Sequence, residues 1–366
     1  MANPVLDTYD ANGETPYQIE EVLKNRVWRV GYRQEQFFFT RAKDRQNVAM
    51  LDLDPMNLRY QQKAISAAKD YGQEAVDVVK KDFEKVKVWF SKKIFSKEEL
   101  FDEVPSWNLN MMVVKLKSGG LLLYAPVKIH KEDKQLLFSW LESLGPVKWL
   151  VVASSAHTLC VPDAVKAFPD ARIVGPKAAE EKLKYIGVLE KFDLLTDTKK
   201  DLDELNKELN GDGVELFNIE GDIACSSIIC LVEKEVLLEC DIVYGHQDGH
   251  GLLDLNGSVL KQWRPEDLSV RLFKLALVSK PNSPNGFLPN YRFWLMDPES
   301  LGALGYNIPC KDGSSHKAMA HSLRELLKQE YKIAIGVHFN GMPREDFRNS
   351  VDMAWNWLDQ KSLKLS

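Results

Sequence analysis

The sequence predicts a mixed α/β fold in which two β-sheets pack together in one large domain. Strand patterns of β-branched and aromatic residues occur on both sides of the chain's middle. Strand and helix patterns alternate between residues 121 and 187, as in α/β proteins. The chain has 366 residues, 45% of them hydrophobic, which is enough for a large core without disulfide staples.

The first half of the chain contains a sheet region and a helical region. Residues 1–24 are predicted to be an N-terminal extension, and residues 27–53 have strand patterns. Residues 55–103 carry apolar positions at helical spacing between lysines and glutamates, which predicts a helical insertion. Ser118-Gly119-Gly120 predicts a hairpin turn between two strands.

The second half continues the same domain, which we expect to span residues 25–360. Residues 190–212 are charged and turn-rich, and residues 245–312 form a long loop section with six prolines. Glu233-Lys234 is predicted to be a turn between two strands. The further strand patterns are 147–155, 171–176, 214–221, 225–233, 235–245 and 333–339, and the helix patterns are 131–145, 161–169, 177–187, 314–329 and 344–360.

Composition excludes several classes of protein. The formal net charge of −5 argues against a strongly basic nucleic-acid binder. No run of about 18 apolar residues predicts a membrane span, and the N-terminus lacks the pattern of a signal peptide. The five cysteines form no CxxC pair, which is typical of a reduced, cytoplasmic protein.

Four polar residues follow predicted strands, where active sites of α/β proteins collect. They are His157, Asp222, Asp241 and His338. Imidazole and carboxylate groups suit a divalent metal such as Zn or Fe. Each residue also has a purely structural interpretation, since strand-end Asp residues often cap turns and His residues often bond to the backbone.

Three further features leave their alternatives open. His246, Asp248 and His250 could chelate a metal locally or form an exposed turn. Cys160 could be a nucleophile assisted by His157, or a small buried hydrophobe. A group of aromatic residues could line an apolar substrate pocket or cover the core; it consists of Trp263, Phe273, Phe287, Tyr291, Phe293 and Trp294.

The order of these elements resembles the metallo-β-lactamase fold, and in particular an uncharacterised β-lactamase-like branch of that superfamily. The resemblance implies a four-layer αββα sandwich with metal ligands at strand ends. The stretches that carry it are NMMVVKLKSGGLLLYAPVKI, LGPVKWLVVASSAHTLCVPDAVKAFPDARIVGP, ICLVEKEVLLECDIV and IAIGVHFNGMPREDFRNSVDMAWNWL.

The resemblance also implies a ligand set, from which this chain departs. The superfamily motif H-x-H-x-D-H is represented here by the segment 155–160, which contains only His157. Asp222 stands where a Gly-His motif is expected, while Asp241 and His338 match the bridging aspartate and the final histidine. The resemblance therefore implies at most one metal, held by His157, Asp222, Asp241 and His338.

Three functions follow as hypotheses. The first is a hydrolase-like enzyme with one Zn or Fe ion, in which His157, Asp222 and Asp241 are catalytic and the substrate is a small molecule. The second is a metal-free enzyme that uses the same pocket for acid/base chemistry on an apolar substrate. The third is a non-catalytic binding protein or homo-oligomer that associates through the helices of residues 55–103.

Overall fold

The computed structural model describes residues 17–35, 106–129, 134–243 (except 156, 159, 186, 223 and 224) and 314–355, together with residues 73, 77, 277, 278, 292 and 293. Within these residues, two large sheets and six α-helices form the fold. None of the described helices is both long and apolar enough to cross a membrane.

The larger sheet has seven strands that lie in chain order. Its first four strands are antiparallel, and the strands from β4 to β7 are parallel. The predicted turn at Ser118–Gly120 is confirmed, since Gly119 and Gly120 have φ of 83° and 91° between antiparallel strands. The strands are β1 (Tyr17–Leu23), β2 (Val27–Glu35), β3 (Ser106–Lys115), β4 (Leu121–Tyr124), β5 (Val147–Val151), β6 (Arg172–Gly175) and β7 (Leu194–Leu195).

The smaller sheet has five strands in the order β14-β13-β10-β9-β8. Strands β10 and β13 are parallel, and the other neighbours are antiparallel. The predicted turn at Glu233-Lys234 is confirmed, with φ of 54° and 57° as two-residue hairpins require. The strands are β8 (Val214–Asn218), β9 (Ile228–Val232), β10 (Val236–Glu239), β13 (Ile333–Gly336) and β14 (Phe339–Pro343). A separate two-stranded sheet pairs β11 (Leu277–Val278) with β12 (Arg292–Phe293).

Six α-helices flank the two sheets. Helices α1 to α4 follow strands of the larger sheet, and α5 and α6 flank the last two strands of the smaller one. The helices are α1 (Lys134–Leu144), α2 (Val161–Ala167), α3 (Lys177–Tyr185), α4 (Lys199–Leu209), α5 (Ser314–Lys328) and α6 (Arg344–Trp355).

Alternation along the strands shows how the layers stack. Successive strand residues point to opposite faces. In β9, Ile228 and Cys230 belong to the core shared with the larger sheet, whereas Ile229 belongs to the core formed with α5 and α6. In β2, Trp28 packs edge-on against Trp140 of α1, so the outer face of the larger sheet is also covered. The predicted four-layer αββα sandwich is confirmed.

Two elements depart from the sequence prediction. The turn-rich segment 190–212 contains helix α4, because Leu202, Leu205 and Leu209 recur at helical spacing among charged residues that obscure the pattern. Strand β1 occupies residues 17–23 of the predicted N-terminal extension, so these residues belong to the sheet.

Two predicted regions fall mostly outside the described residues. In the helical insertion 55–103, only Gln73 and Asp77 are described, and both are helical. In the loop section 245–312, the described residues are those of β11 and β12. The predicted oligomer contact through the insertion therefore stays a prediction.

Candidate metal centre

Three of the four strand-end residues bring their side chains together. The Nε2 atoms of His157 and His338 lie 3.1 Å and 3.2 Å from Oδ1 of Asp241. The same two nitrogen atoms lie 3.0 Å from each other. These three atoms form a nearly equilateral triangle. When the histidines are unprotonated, it offers a metal one negatively charged oxygen ligand and two neutral nitrogen ligands.

The topology explains why these residues meet. Asp241 follows β10 and His338 follows β13, and these strands are parallel neighbours that end at the same edge of the smaller sheet. His157 lies in the loop after β5 of the larger sheet. Ligands in α/β folds collect beyond the carboxyl ends of strands, and here two sheets contribute to one such site.

A short turn fixes Asp241. Its φ of 63° is left-handed, a conformation that Asp tolerates better than most residues. The buried carboxylate of Glu239 accepts the backbone N–H groups of Ile242 (2.9 Å) and Val243 (3.3 Å), and the indole N–H of Trp355 donates to the carbonyl of Ile242 (2.8 Å). Burial raises the pKa of Glu239 well above its usual range.

The two oxygens of Asp241 have different partners. Ser154 donates its hydroxyl to Oδ2 at 2.6 Å, and the thiol of Cys240 donates to the same oxygen at 3.4 Å. Oδ1 therefore faces the histidines. Burial acts to raise the pKa of Asp241, but the charges and hydrogen bonds of His157 and His338 hold that pKa well below its usual range.

The two histidines differ in their surroundings. The side chain of His338 is 6% exposed and that of His157 is 15% exposed, so the site opens on the side of His157. Burial lowers the pKa of His338, although its hydrogen bond with Asp241 acts in the opposite direction. The lowered pKa favours the neutral imidazole, which is the form that binds metals.

Hydrogen bonds attach the His157 loop to β9 of the smaller sheet and to the segment before it. Ser155 donates its N–H (2.7 Å) and its hydroxyl (3.0 Å) to the carbonyl of Cys225. Ile228 donates its N–H to the carbonyl of Ala153 at 2.9 Å. Lys182 of α3 reaches over the loop and donates to the carbonyl of Ser155 at 3.0 Å.

Asp222 lies outside the triad. Its Oδ1 accepts the N–H of Cys225 at 3.0 Å, and its Oδ2 accepts the N–H of Ser227 at 2.8 Å. Burial raises the pKa of Asp222, against the effect of these hydrogen bonds. Asp222 thus shapes the turn that contacts the His157 loop, and its role as a ligand or general base stays a prediction.

The remaining predicted candidates add no described residue to the triad. Cys160 is buried, and burial raises the pKa of its thiol to about 12, which disfavours the thiolate that a nucleophile needs. His246, Asp248 and His250 lie outside the described residues. So do the aromatic residues of the predicted pocket wall, apart from the backbone of Phe293.

The triad has the dimensions that a single ion requires. Two ligands about 2.1 Å from one ion are about 3.0 Å apart at right angles and about 3.4 Å apart in a tetrahedron. The observed separations of 3.0–3.2 Å fall within that range. Two His and one Asp form a donor set known for catalytic Zn and for non-haem Fe(II). Among the described residues, the potential metal ligands of this cluster are His157, Asp241 and His338, and three ligands suit one ion.

Sequence reasoning missed Ser154, which holds the carboxylate of Asp241. It adjoins Ser155 in a run after a buried strand, and such a run is common in turns. Its partner lies 87 residues away in the chain. No local pattern therefore distinguishes Ser154 from its neighbour.

One family model and a number of solved structures are similar to this chain. The profile of a family described as "Domain of unknown function (DUF4336)" matches residues 94–178. No curated protein sequence matches the chain.

Similar solved structures include several metallo-β-lactamases. One from Pontibacter korlensis has 9% identity and a TM-score of 0.43, covering 93% of this chain and 99% of that chain. The FIM-1 enzyme from Pseudomonas aeruginosa, in a mono-zinc form, has 10% identity and a TM-score of 0.45, covering 94% and 97%. A flavo di-iron protein variant from Thermotoga maritima has 10% identity and a TM-score of 0.46, covering 94% and 63%.

Proposed function

We propose that this chain is a hydrolase-like enzyme that binds one metal ion, Zn or Fe, through His157, Asp241 and His338 and acts on a small-molecule substrate. The observation that carries the proposal is the convergence of the three donor atoms within 3.2 Å of one another. Two of the donors follow neighbouring strands of the smaller sheet, and the third lies in a loop after β5 of the larger sheet, so three distant chain segments converge on one point.

Each residue has a distinct task in the proposed site. Asp241 supplies the negative charge, and Ser154 fixes the direction of its carboxylate by the 2.6 Å hydrogen bond to Oδ2. His338 is the buried ligand, and His157 is the ligand on the open side, next to which a substrate would enter. When bound, the ion would polarise a substrate carbonyl or phosphoryl oxygen and lower the pKa of water to about 7.

Asp222 is proposed as a catalytic group that acts near the triad rather than in it. Its carboxyl group contacts the segment that holds the His157 loop. Burial raises the pKa of Asp222, and the charge of Asp241 adds a smaller effect in the same direction. A general base at this place would receive a proton from the reacting water.

Metal analysis of the purified 366-residue chain tests the proposal. We expect about one Zn or Fe per chain after reconstitution, and loss of that ion in His157→Ala. His321→Ala is the matched control, because His321 is an exposed histidine of α5 that does not belong to the cluster of potential metal ligands. No stoichiometric metal in the wild-type protein, or equal metal content in both variants, would contradict the proposal.

A metal-free enzyme is the second candidate, and a specific contact favours it. The 3.1 Å pairing of His157 with Asp241 is also the arrangement of a general base and its orienting carboxylate. The two candidates differ in their response to chelators. Activity that persists after exhaustive treatment with a chelator, but falls in His157→Ala, would support the metal-free enzyme.

A further inference from the structure

Asn110 of β3 binds the turn that carries His338. Its side-chain Nδ2 donates to the carbonyl of Gly336 at 2.9 Å and to the carbonyl of Phe339 at 2.8 Å. Its backbone N–H donates to the carbonyl of Val337 at 2.8 Å. Asn110 lies in the larger sheet, so one residue makes three hydrogen bonds across the sandwich to the residues on both sides of His338.

A second contact fixes the orientation of the Asn110 amide. The guanidinium of Arg29 donates to Oδ1 of Asn110 at 3.3 Å, and Oδ1 is the atom that can only accept. The opposite end of the amide, which can only donate, therefore faces the two carbonyl groups. Arg29 is 3% exposed and is itself held by Glu20, whose Oε2 accepts from Nε (2.9 Å) and Nη2 (2.8 Å) of Arg29.

The turn leaves little room for an alternative position. Gly336 ends β13, and a Cβ atom at this residue would overlap the ring of Phe339 and the carboxylate of Glu239. Asn110 is 3% exposed, so the carbonyl groups it binds have no easy access to water that could replace it. Loss of the amide would leave buried acceptors without a donor and would release the turn.

We propose that Asn110 is a positioning residue that holds His338 in its place in the triad, with Arg29 and Glu20 fixing the Asn110 amide. This inference rests on the proposed function, because it treats His338 as a metal ligand. It goes beyond the triad by assigning part of the site's geometry to three residues of the larger sheet, none of which belongs to the triad.

The test substitutes the amide without changing its size. In Asn110→Asp the contact with Arg29 is kept, while the Nδ2 donor is replaced by an oxygen that repels both carbonyl groups. Asn206→Asp is the matched control. Asn206 makes the same kind of paired contact, donating to the carbonyl of Leu216 at 2.7 Å and accepting its N–H at 2.8 Å, between α4 and β8.

Two measurements are made on each variant of the 366-residue chain. The first is titration with Co²⁺, whose absorption spectrum reports the number and arrangement of its ligands. We expect Asn110→Asp to bind Co²⁺ about 10–100-fold more weakly with an altered spectrum, and Asn206→Asp to match the wild type. Asn110→Ala is a second variant in case the charge prevents folding, and Arg29→Lys should give a smaller loss.

The second measurement is hydrogen exchange of the metal-free proteins. Asn110→Asp should accelerate exchange in peptides covering residues 333–343, and Asn206→Asp should accelerate it only around residues 214–218. If the wild type binds no metal, the proposed function fails. Hydrogen exchange alone then decides whether Asn110 holds the turn that carries His338. Unchanged exchange over 333–343, or unchanged Co²⁺ binding in both Asn110 variants, would overturn it.

Discussion

Asp241 and His338 extend from adjacent parallel strands of the smaller sheet, whereas His157 comes from a loop after β5 of the larger sheet. The spacing of the first two follows from strand register, because Glu239 pairs with Gly336 at the ends of the strands. The position of His157 depends on hydrogen bonds between loops of different sheets. Two residues of the triad are therefore placed by strand pairing within one sheet, and the third is placed by hydrogen bonds between the two sheets.

The largest effect on metal binding is expected at Asp241, one of the two triad residues that strand pairing places. Asp241→Asn removes the only negative charge of the triad, while Asn tolerates the left-handed φ of 63°. We expect metal affinity to fall by more than about 100-fold, beyond the range known for residues outside the ligand set. Calorimetric titration with Zn²⁺ measures the change.

Asp212→Asn is the matched control for that substitution. Asp212 is also a buried carboxylate, and it accepts the N–H (2.6 Å) and hydroxyl (2.9 Å) of Ser118 far from the triad in sequence. We expect this control to lose stability but to bind Zn²⁺ as the wild type does. Equal affinities in the two variants would argue against Asp241 as a ligand.

A smaller effect on metal binding is expected at Ser154, which connects the loop after β5 to Asp241. Ser154→Ala removes the hydroxyl that directs the Asp241 carboxylate, and such contacts are worth about 10–100-fold in metal affinity. Ser155→Ala removes the neighbouring hydroxyl, which binds the carbonyl of Cys225 instead. Zn²⁺ titration of both variants separates orientation of the ligand from attachment of the loop. A larger loss in Ser155→Ala would show that attachment matters more.

The smallest effect on metal binding is expected at Cys160, which lies three residues after His157 in the chain. Burial raises the pKa of its thiol to about 12, so the thiol stays protonated at neutral pH and the thiolate forms only as pH rises towards that value. At pH 7 the thiolate is therefore strongly disfavoured. We expect slow native-state labelling of Cys160 by iodoacetamide, measured by mass spectrometry of its peptide, and unchanged metal binding in Cys160→Ser. Rapid labelling that metal suppresses would contradict this.

The same comparison explains how much the sequence could predict. The positions of most strands, the turn at Glu233-Lys234 and the triad residues have local signals in apolar runs of the sequence. Helix α4 was missed because its charge obscures three leucines. Ser154 and Asn110 could not be found, because their partners lie 87 and more than 200 residues away in the chain.

The tight packing at Gly336 has a practical consequence for anyone who redesigns this centre. A variant library that randomises the surroundings of the triad can include positions 154 and 155, whose side chains orient the Asp241 carboxylate and attach the His157 loop. Position 336 has to be left as glycine in every member, because any side chain there would collide with Phe339 and Glu239 and push apart the strand ends that present two of the three donors. New specificities would then be selected on the His157 side, with the smaller sheet kept as a constant scaffold.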